Sequence, residues 1–166
     1  MLARRAEIGR RGALGSGNAL DHAVVFGHHA EVEMLLGRGA PTAKSMDGIN
    51  TLHFAGLFRS GFEVVQLLIE ARVSLEDRCS PHRRGGLRPF LLIMGAAWYF
   101  GRRSWTVRAA RYAWGCTPLA FAVMTRGLTE IETMLEAGAD VNARQDHGLD
   151  IQRWAEVFDC PLDHLV

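Results

Sequence analysis

Four stretches of the chain share a short phrase, and their spacing is the feature that most constrains the fold. They read Asn18-Ala19-Leu20-Asp21-His22-Ala23, Asn50-Thr51-Leu52-His53-Phe54-Ala55, Thr117-Pro118-Leu119-Ala120-Phe121-Ala122 and Asp150-Ile151-Gln152-Arg153-Trp154-Ala155. Their second residues, at positions 19, 51, 118 and 151, are separated by steps of 32, 67 and 33 residues. The long step is close to two short ones. A period near 33 residues predicts stacked copies of one helical unit.

A second apolar phrase follows three of these stretches, at 27–36, 64–70 and 131–136. Asn or Thr at the first position of the phrase can cap a helix. Pro118, at the second position, suits a first helical turn because it has no amide donor to lose. Gly39 and Gly138 stand where the second helix should end with a positive φ. Each unit is therefore predicted to form a helix, a tight turn, a helix and an extended loop.

Three strings resemble the ankyrin repeat family: the phrases at residues 50–55 and 117–122, and the later string Gly138-Ala139-Asp140-Val141-Asn142-Ala143. The resemblance implies an all-α solenoid of helix-turn-helix units with short loop tips, in which stacking buries the apolar faces. It also implies a structural role for His53, whose ring would hydrogen-bond to the backbone between repeats. Its main functional implication is a non-catalytic protein-binding module, serving as an adaptor, a scaffold or a targeting subunit.

The same resemblance predicts a single ankyrin-repeat domain over residues 1–166. A partial unit covers 1–17, repeats cover about 18–46, 47–77 and 115–147, and a partial C-terminal unit covers 148–166. Residues 78–114 are either a degenerate basic repeat, with its best anchor at Gly86-Leu87-Arg88-Pro89, or an insertion. Both interpretations stay open at this point.

In the family, the two positions before the glycine between the helices project onto a concave face. The matching residues, which we call the first-helix row, are Val25, Phe26, Leu57, Phe58, Met124, Thr125, Val157 and Phe158. Seven of the eight are apolar, and a contiguous exposed apolar patch usually marks an interaction site. We therefore predict that the row binds a helix or an extended segment of a protein partner. The alternative is that the helices tilt and bury the row.

The loop tips are the second predicted contact zone. The residues expected there are Met46, Asp47, Trp114 and His147. Trp114 is the strongest candidate anchor, because tryptophan is enriched among the residues that dominate binding energy. The identity of the protein partner does not follow from these positions.

A polarised charge distribution supports an alternative function. Residues 78–129 hold nine arginines and no acidic residue, so the span carries +9 and the rest of the chain −8, for a net charge of +1. This span could dock on nucleic acid or an anionic membrane through residues 78–111. The candidate arginines are Arg83, Arg84, Arg88, Arg102, Arg103, Arg108 and Arg111. The apolar run at 90–100 is too short to span a bilayer; a buried helix, an interfacial anchor and a base-stacking face remain alternatives.

Other classes of function find little support. The three cysteines form no Cys-x-x-Cys pair, which favours a reduced intracellular protein and the cytoplasm. The arginine-rich N-terminus also leaves organelle targeting open, although a truncated repeat is the preferred interpretation. His28 and His29 lack further ligands at metal spacing, and no nucleophile motif is present. We expect no enzyme activity, no metal, no cofactor and no small-molecule substrate.

Overall fold

The computed structural model describes residues 9, 17–42, 48–80, 104–146 and 148–162. The regular elements in these ranges are α-helices, which confirms the predicted all-α class. In chain order they are α1 (Ala19–Val25), α2 (His29–Gly37), α3 (Thr51–Phe58), α4 (Phe62–Glu70), α5 (Trp105–Tyr112), α6 (Pro118–Thr125), α7 (Leu128–Glu136) and α8 (Ile151–Phe158). The anchor at 86–89 and the apolar run at 90–100 lie outside the described residues.

The helices stack in two layers. Helices α1, α3, α6 and α8 follow one another in the first layer, and α2, α4 and α7 do so in the second. Antiparallel hairpins α1–α2, α3–α4 and α6–α7 connect the layers and define units 1, 2 and 3, while α8 belongs to unit 4. Each unit therefore contacts its neighbours, as a solenoid requires.

The core of the first layer is built from one repeated position. Leu20, Leu52 and Leu119 each follow the first residue of their helix, and each is almost completely buried. Burying a leucine side chain contributes roughly 1.5–3 kcal/mol. No single unit could enclose these side chains alone, so their burial depends on the stack.

The first-layer helices begin at the predicted capping residues. The side chains of Asn18, Asn50, Thr117 and Asp150 each accept a hydrogen bond from the backbone three residues later. Asn18 and Asp21 complete a reciprocal capping box, as do Asn50 and His53. Because the first amides of a helix have no partner within it, each cap contributes about 1 kcal/mol.

The second-layer helices end in a shared left-handed turn. Gly39, Arg72 and Gly138 occupy the equivalent position with φ of 77°, 58° and 91°, which confirms the prediction for the two glycines. In each turn this residue donates to a carbonyl three residues back, and the next residue donates to one five residues back. This is the Schellman arrangement, which satisfies carbonyls left open at a helix end.

Buried polar side chains join neighbouring units. The Nε2 atom of His53 lies 3.0 Å from the carbonyl oxygen of Cys116 in unit 3, and His53 is fully buried. Its predicted role as a bridge between repeats is therefore confirmed. Glu130 of α7 accepts a hydrogen bond of 2.8 Å from the amide of Gly61, which starts α4 in unit 2. These contacts set the register of unit 2 on unit 3.

The backbone on either side of residues 80–114 is directly paired. The amide of Cys79 donates to the carbonyl of Cys116, and the amide of Gly115 donates to the carbonyl of Cys79, both at 2.8 Å. Helices α3 and α6 are in direct contact, so residues 80–114 do not separate unit 2 from unit 3. Both interpretations of residues 78–114 stay predictions, because residues 81–103 lie outside the described residues.

Candidate functional site

The first-helix row lies at the C-terminal ends of the first-layer helices, and its N-terminal half is open to solvent. Phe26 is 68% exposed and Phe58 is 49% exposed. Val25 and Leu57, the residues before them, are partly buried. Phenylalanines this exposed, on two helices in contact, are an unusual feature of a surface with no partner.

The C-terminal half of the row is largely enclosed, which corrects the expectation at two positions. Met124 is 2% exposed because α6 lies between α3 and α8, and residues 118–124 are all buried. Phe158 is 3% exposed, and the ring of Tyr112 from α5 lies beside it. These two side chains pack inside the structure and have no surface to offer a partner.

Two further row positions have partners within the chain. Thr125 is partly buried, and its hydroxyl donates a hydrogen bond of 2.7 Å to the carbonyl of Gly56 on α3. Val157 is partly buried too, and its carbonyl accepts a hydrogen bond from Arg108 of α5. The row is thus accessible to solvent on units 1 and 2, whereas on units 3 and 4 its residues are buried or bonded to other parts of the chain.

Aromatic stacking extends the open half of the row by one residue. The ring of Phe54, one turn before Phe58, stacks on it with centroids 6.5 Å apart and an interplanar angle of 27°. We call Val25, Phe26, Phe54, Leu57 and Phe58 the aromatic patch. The sequence analysis missed Phe54, although its spacing of four residues from Phe58 places both rings on one helical face.

The loop-tip residues are only partly within the described ranges. Trp114 is 38% exposed and lies three residues before Thr117, the capping residue of α6. Met46, Asp47 and His147 lie outside the described residues. A salt bridge of 2.7 Å joins Arg78 to Asp146 and ties the loop of unit 2 to the loop of unit 3.

Comparison with known proteins bears on one of these units. Residues 114–146 match the model of the ankyrin repeat family. This range is similar to an ankyrin repeat. It contains the whole of unit 3, namely α6, α7 and the loop that follows them. No curated protein matches the chain.

The family match at 114–146, the hairpins of units 1 and 2 on one side of it and helix α8 on the other confirm the predicted helical solenoid. Ankyrin repeats generally act as protein–protein interaction modules, and the family is typically non-catalytic. Within the described residues, no helix is long and apolar enough to cross a membrane. In the same part of the chain, no group of three His, Cys, Asp or Glu side chains is placed to hold a metal ion.

The arginines of the basic span that the structure describes make contacts within the chain. Arg78 pairs with Asp146, and Arg108 donates to the carbonyl of Val157. Arg126 donates to the carbonyl of Phe158 at 3.1 Å. Five of the candidate arginines, Arg83, Arg84, Arg88, Arg102 and Arg103, lie outside the described residues, as does the side chain of Arg111. Docking on an anionic surface therefore gains no geometric support from the described residues.

The thiols of Cys116 and Cys160 are poorly suited to nucleophilic chemistry. Burial raises the pKa of the Cys116 thiol well above its usual range, and the neighbouring Cys79 and Asp146 act in the same direction. Burial also raises the pKa of Cys160. Since the thiolate is the reactive form, both groups are weak nucleophiles at neutral pH. The aromatic patch is consequently the strongest candidate site among the described residues.

Proposed function

We propose that this chain is a non-catalytic adaptor or targeting subunit that binds a protein partner through the aromatic patch. The observation that carries the proposal is the exposure of Phe26 and Phe58 at equivalent positions of two adjacent helices. Aromatic side chains are enriched at the centres of protein interfaces and contribute a large share of their binding energy. An apolar patch of this kind fits the apolar stripe of a helix or an extended segment.

The structure offers a matched pair of variants for the test. Phe58→Asp places a charge in the middle of the aromatic patch. Met34→Asp places the same charge on α2, in the other layer, at a side chain that is 45% exposed. Both side chains are exposed to solvent, so neither substitution buries a charge. Circular dichroism of the two variants checks that helicity is retained.

The experiment is a quantitative pull-down from an extract of the source cells, at low and high salt and with a nuclease-treated arm. We expect the wild-type chain and Met34→Asp to retain the same protein in stoichiometric amounts at high salt. Phe26→Asp and Phe58→Asp should weaken its binding by about 30-fold or more, the equivalent of about 2 kcal/mol at a dominant contact.

Two results would contradict the proposal. If Phe58→Asp retains the same proteins as the wild type, the patch is not the binding site. If retention disappears at high salt or after nuclease treatment, the chain binds a polyanion through its arginines, because phosphate contacts weaken steeply with ionic strength. Loss of helicity in Phe58→Asp would show that this side chain stabilises the fold.

A further inference from the structure

Helix α5 lies against the C-terminal end of α8 and covers the first-helix row there. Trp154 and Phe158 of α8 stack with centroids 4.9 Å apart and an interplanar angle of 20°. Tyr112 packs edge-on against both rings, at 6.1 Å and 71° from Trp154 and at 6.4 Å and 85° from Phe158. Edge-to-face contacts of this geometry are favourable because the ring edge is positive and the ring face negative.

One turn before Tyr112, Arg108 adds a polar contact to the same helix end. Its Nη1 atom donates a hydrogen bond of 2.8 Å to the carbonyl of Val157, and its guanidinium carbon lies 5.9 Å from the centre of the Phe158 ring. The last carbonyls of a helix lack partners within the helix and carry partial negative charge, so they attract a cation. Arginine and tyrosine four residues apart thus recognise an aromatic pair and a helix end together.

Helix α3 repeats the aromatic pair of α8 at the same positions of the unit. Counted from the first helical residue, Phe54 and Phe58 on α3 correspond to Trp154 and Phe158 on α8. Both pairs are stacked, with interplanar angles of 27° and 20°. Leu57 corresponds in turn to Val157, whose carbonyl binds Arg108.

The two pairs differ in what covers them. Phe158 is 3% exposed beneath α5, whereas Phe58 is 49% exposed. Helix α5 therefore shows which type of helix binds to an aromatic pair such as Trp154 and Phe158. The chain presents a similar pair on α3 to solvent.

We propose that the Phe54–Phe58 pair of α3 binds an α-helix of a partner protein that carries an arginine and a tyrosine four residues apart. This inference rests on the proposed function and specifies the chemistry of the partner. The tyrosine packs edge-on against the two phenylalanine rings, and the arginine donates to the carbonyls at the end of α3. Helix α5 is the intramolecular counterpart of that partner helix.

The probe for the test is a fluorescein-labelled peptide with the sequence of residues 104–113. A lactam bridge between positions 106 and 110 holds it helical, because helices this short are marginal in water. These positions face away from 108 and 112 on a helix of 3.6 residues per turn. Fluorescence anisotropy measures binding of the peptide to the full chain and to its variants.

We expect saturable binding to the wild-type chain and to Met34→Asp. Phe58→Asp should lower the affinity at least tenfold, and Phe54→Ala should lower it measurably. Peptides with Arg108→Ala or Tyr112→Ala separate the two contacts: the first loses the bond to the helix end, the second loses the edge-on ring, and each should bind more weakly than the parent does.

Equal affinity for the wild type and Phe58→Asp would overturn the inference, because the peptide would then be binding outside α3. Self-association of the full chain at the concentrations where the peptide binds would replace the partner protein with a second copy's α5, and would overturn it as well. If the peptide fails to bind while a protein is still retained in a Phe58-dependent way, the proposed function stands and the helix chemistry is wrong.

Discussion

At the scale of single residues, His53 shows how a side chain from the repeated phrase stabilises the stack. Its ring contacts Asn50 at the start of its own helix and reaches the carbonyl of Cys116 across the unit boundary. The ring also packs edge-on against Phe121 of α6, with centroids 5.3 Å apart. One buried imidazole thereby joins a helix cap, a loop and a neighbouring helix.

We expect His53→Ala to lower the free energy of unfolding by about 2–4 kcal/mol, because it leaves a cavity and removes one of the two hydrogen bonds to the Cys116 carbonyl. Urea denaturation followed by circular dichroism measures the change. His22→Ala is the control, since His22 is exposed on α1 and its replacement should stay within about 0.5 kcal/mol of the wild type. A change that small for His53→Ala would show that the bridge contributes little.

At the scale of the helix, the shared left-handed turn explains how α2, α4 and α7 end at the same point of each unit. The turn of α4 differs from the others because Arg72 holds the position that Gly39 and Gly138 hold elsewhere. A residue with a Cβ is strained at positive φ, by roughly 1–2 kcal/mol, whereas glycine is not. The hydrogen bonds of the turn are nevertheless the same in all three helices.

This difference predicts opposite effects for two substitutions. Arg72→Gly should raise the free energy of unfolding by about 0.5–1 kcal/mol, because relief of strain exceeds the extra entropy of a glycine in the unfolded chain. Gly138→Ala should lower it by a similar amount through backbone strain alone, since no atom lies within 4 Å of the added Cβ. Urea denaturation of both variants provides the measurement. A loss of stability in Arg72→Gly would mean that the arginine side chain stabilises the turn more than its backbone strains it.

At the scale of the whole molecule, the sequence could predict what repeats and could not predict what occurs once. The caps at Asn50 and Thr117 and the turn at Gly138 follow from local chemistry that recurs in each unit, so the helices and their stacking were predictable. The burial of Phe158 depends on α5, which lies outside the repeated hairpins of the described residues. A pattern read from equivalent positions therefore assigned Phe26 and Phe158 the same environment, although the structure gives them opposite ones.

The paired backbone at Cys79 and Gly115 leads to a prediction for residues 81–113. Replacing residues 81–113 with a loop of about four residues should leave the stacked hairpins folded, because the two ends already lie as close as the arms of a hairpin. We expect helicity to fall only by the contribution of the removed residues, with unfolding still in a single transition. Circular dichroism and thermal denaturation check both points.

A truncated chain that lacks cooperative unfolding would mean that residues 81–113 are required for the stack. The structure offers a milder variant as the control for lost packing on α8. Tyr112→Ala removes the ring that covers Trp154 and Phe158 but keeps the rest of residues 81–113. If truncation and Tyr112→Ala lower stability by similar amounts, the cost of truncation lies at that contact.

The pairing of Cys79 with Gly115 also bears on the order in which the units fold. In a repeat stack each unit normally packs on the one next to it in sequence, yet His53 and Cys116 meet across 63 residues. Closing a loop of about 35 residues instead of about 4 costs on the order of 2 kcal/mol more in chain entropy. Units 1 and 2 and units 3 and 4 should therefore form early as two local nuclei. Their docking at the α3–α6 contact then becomes the slow step of folding.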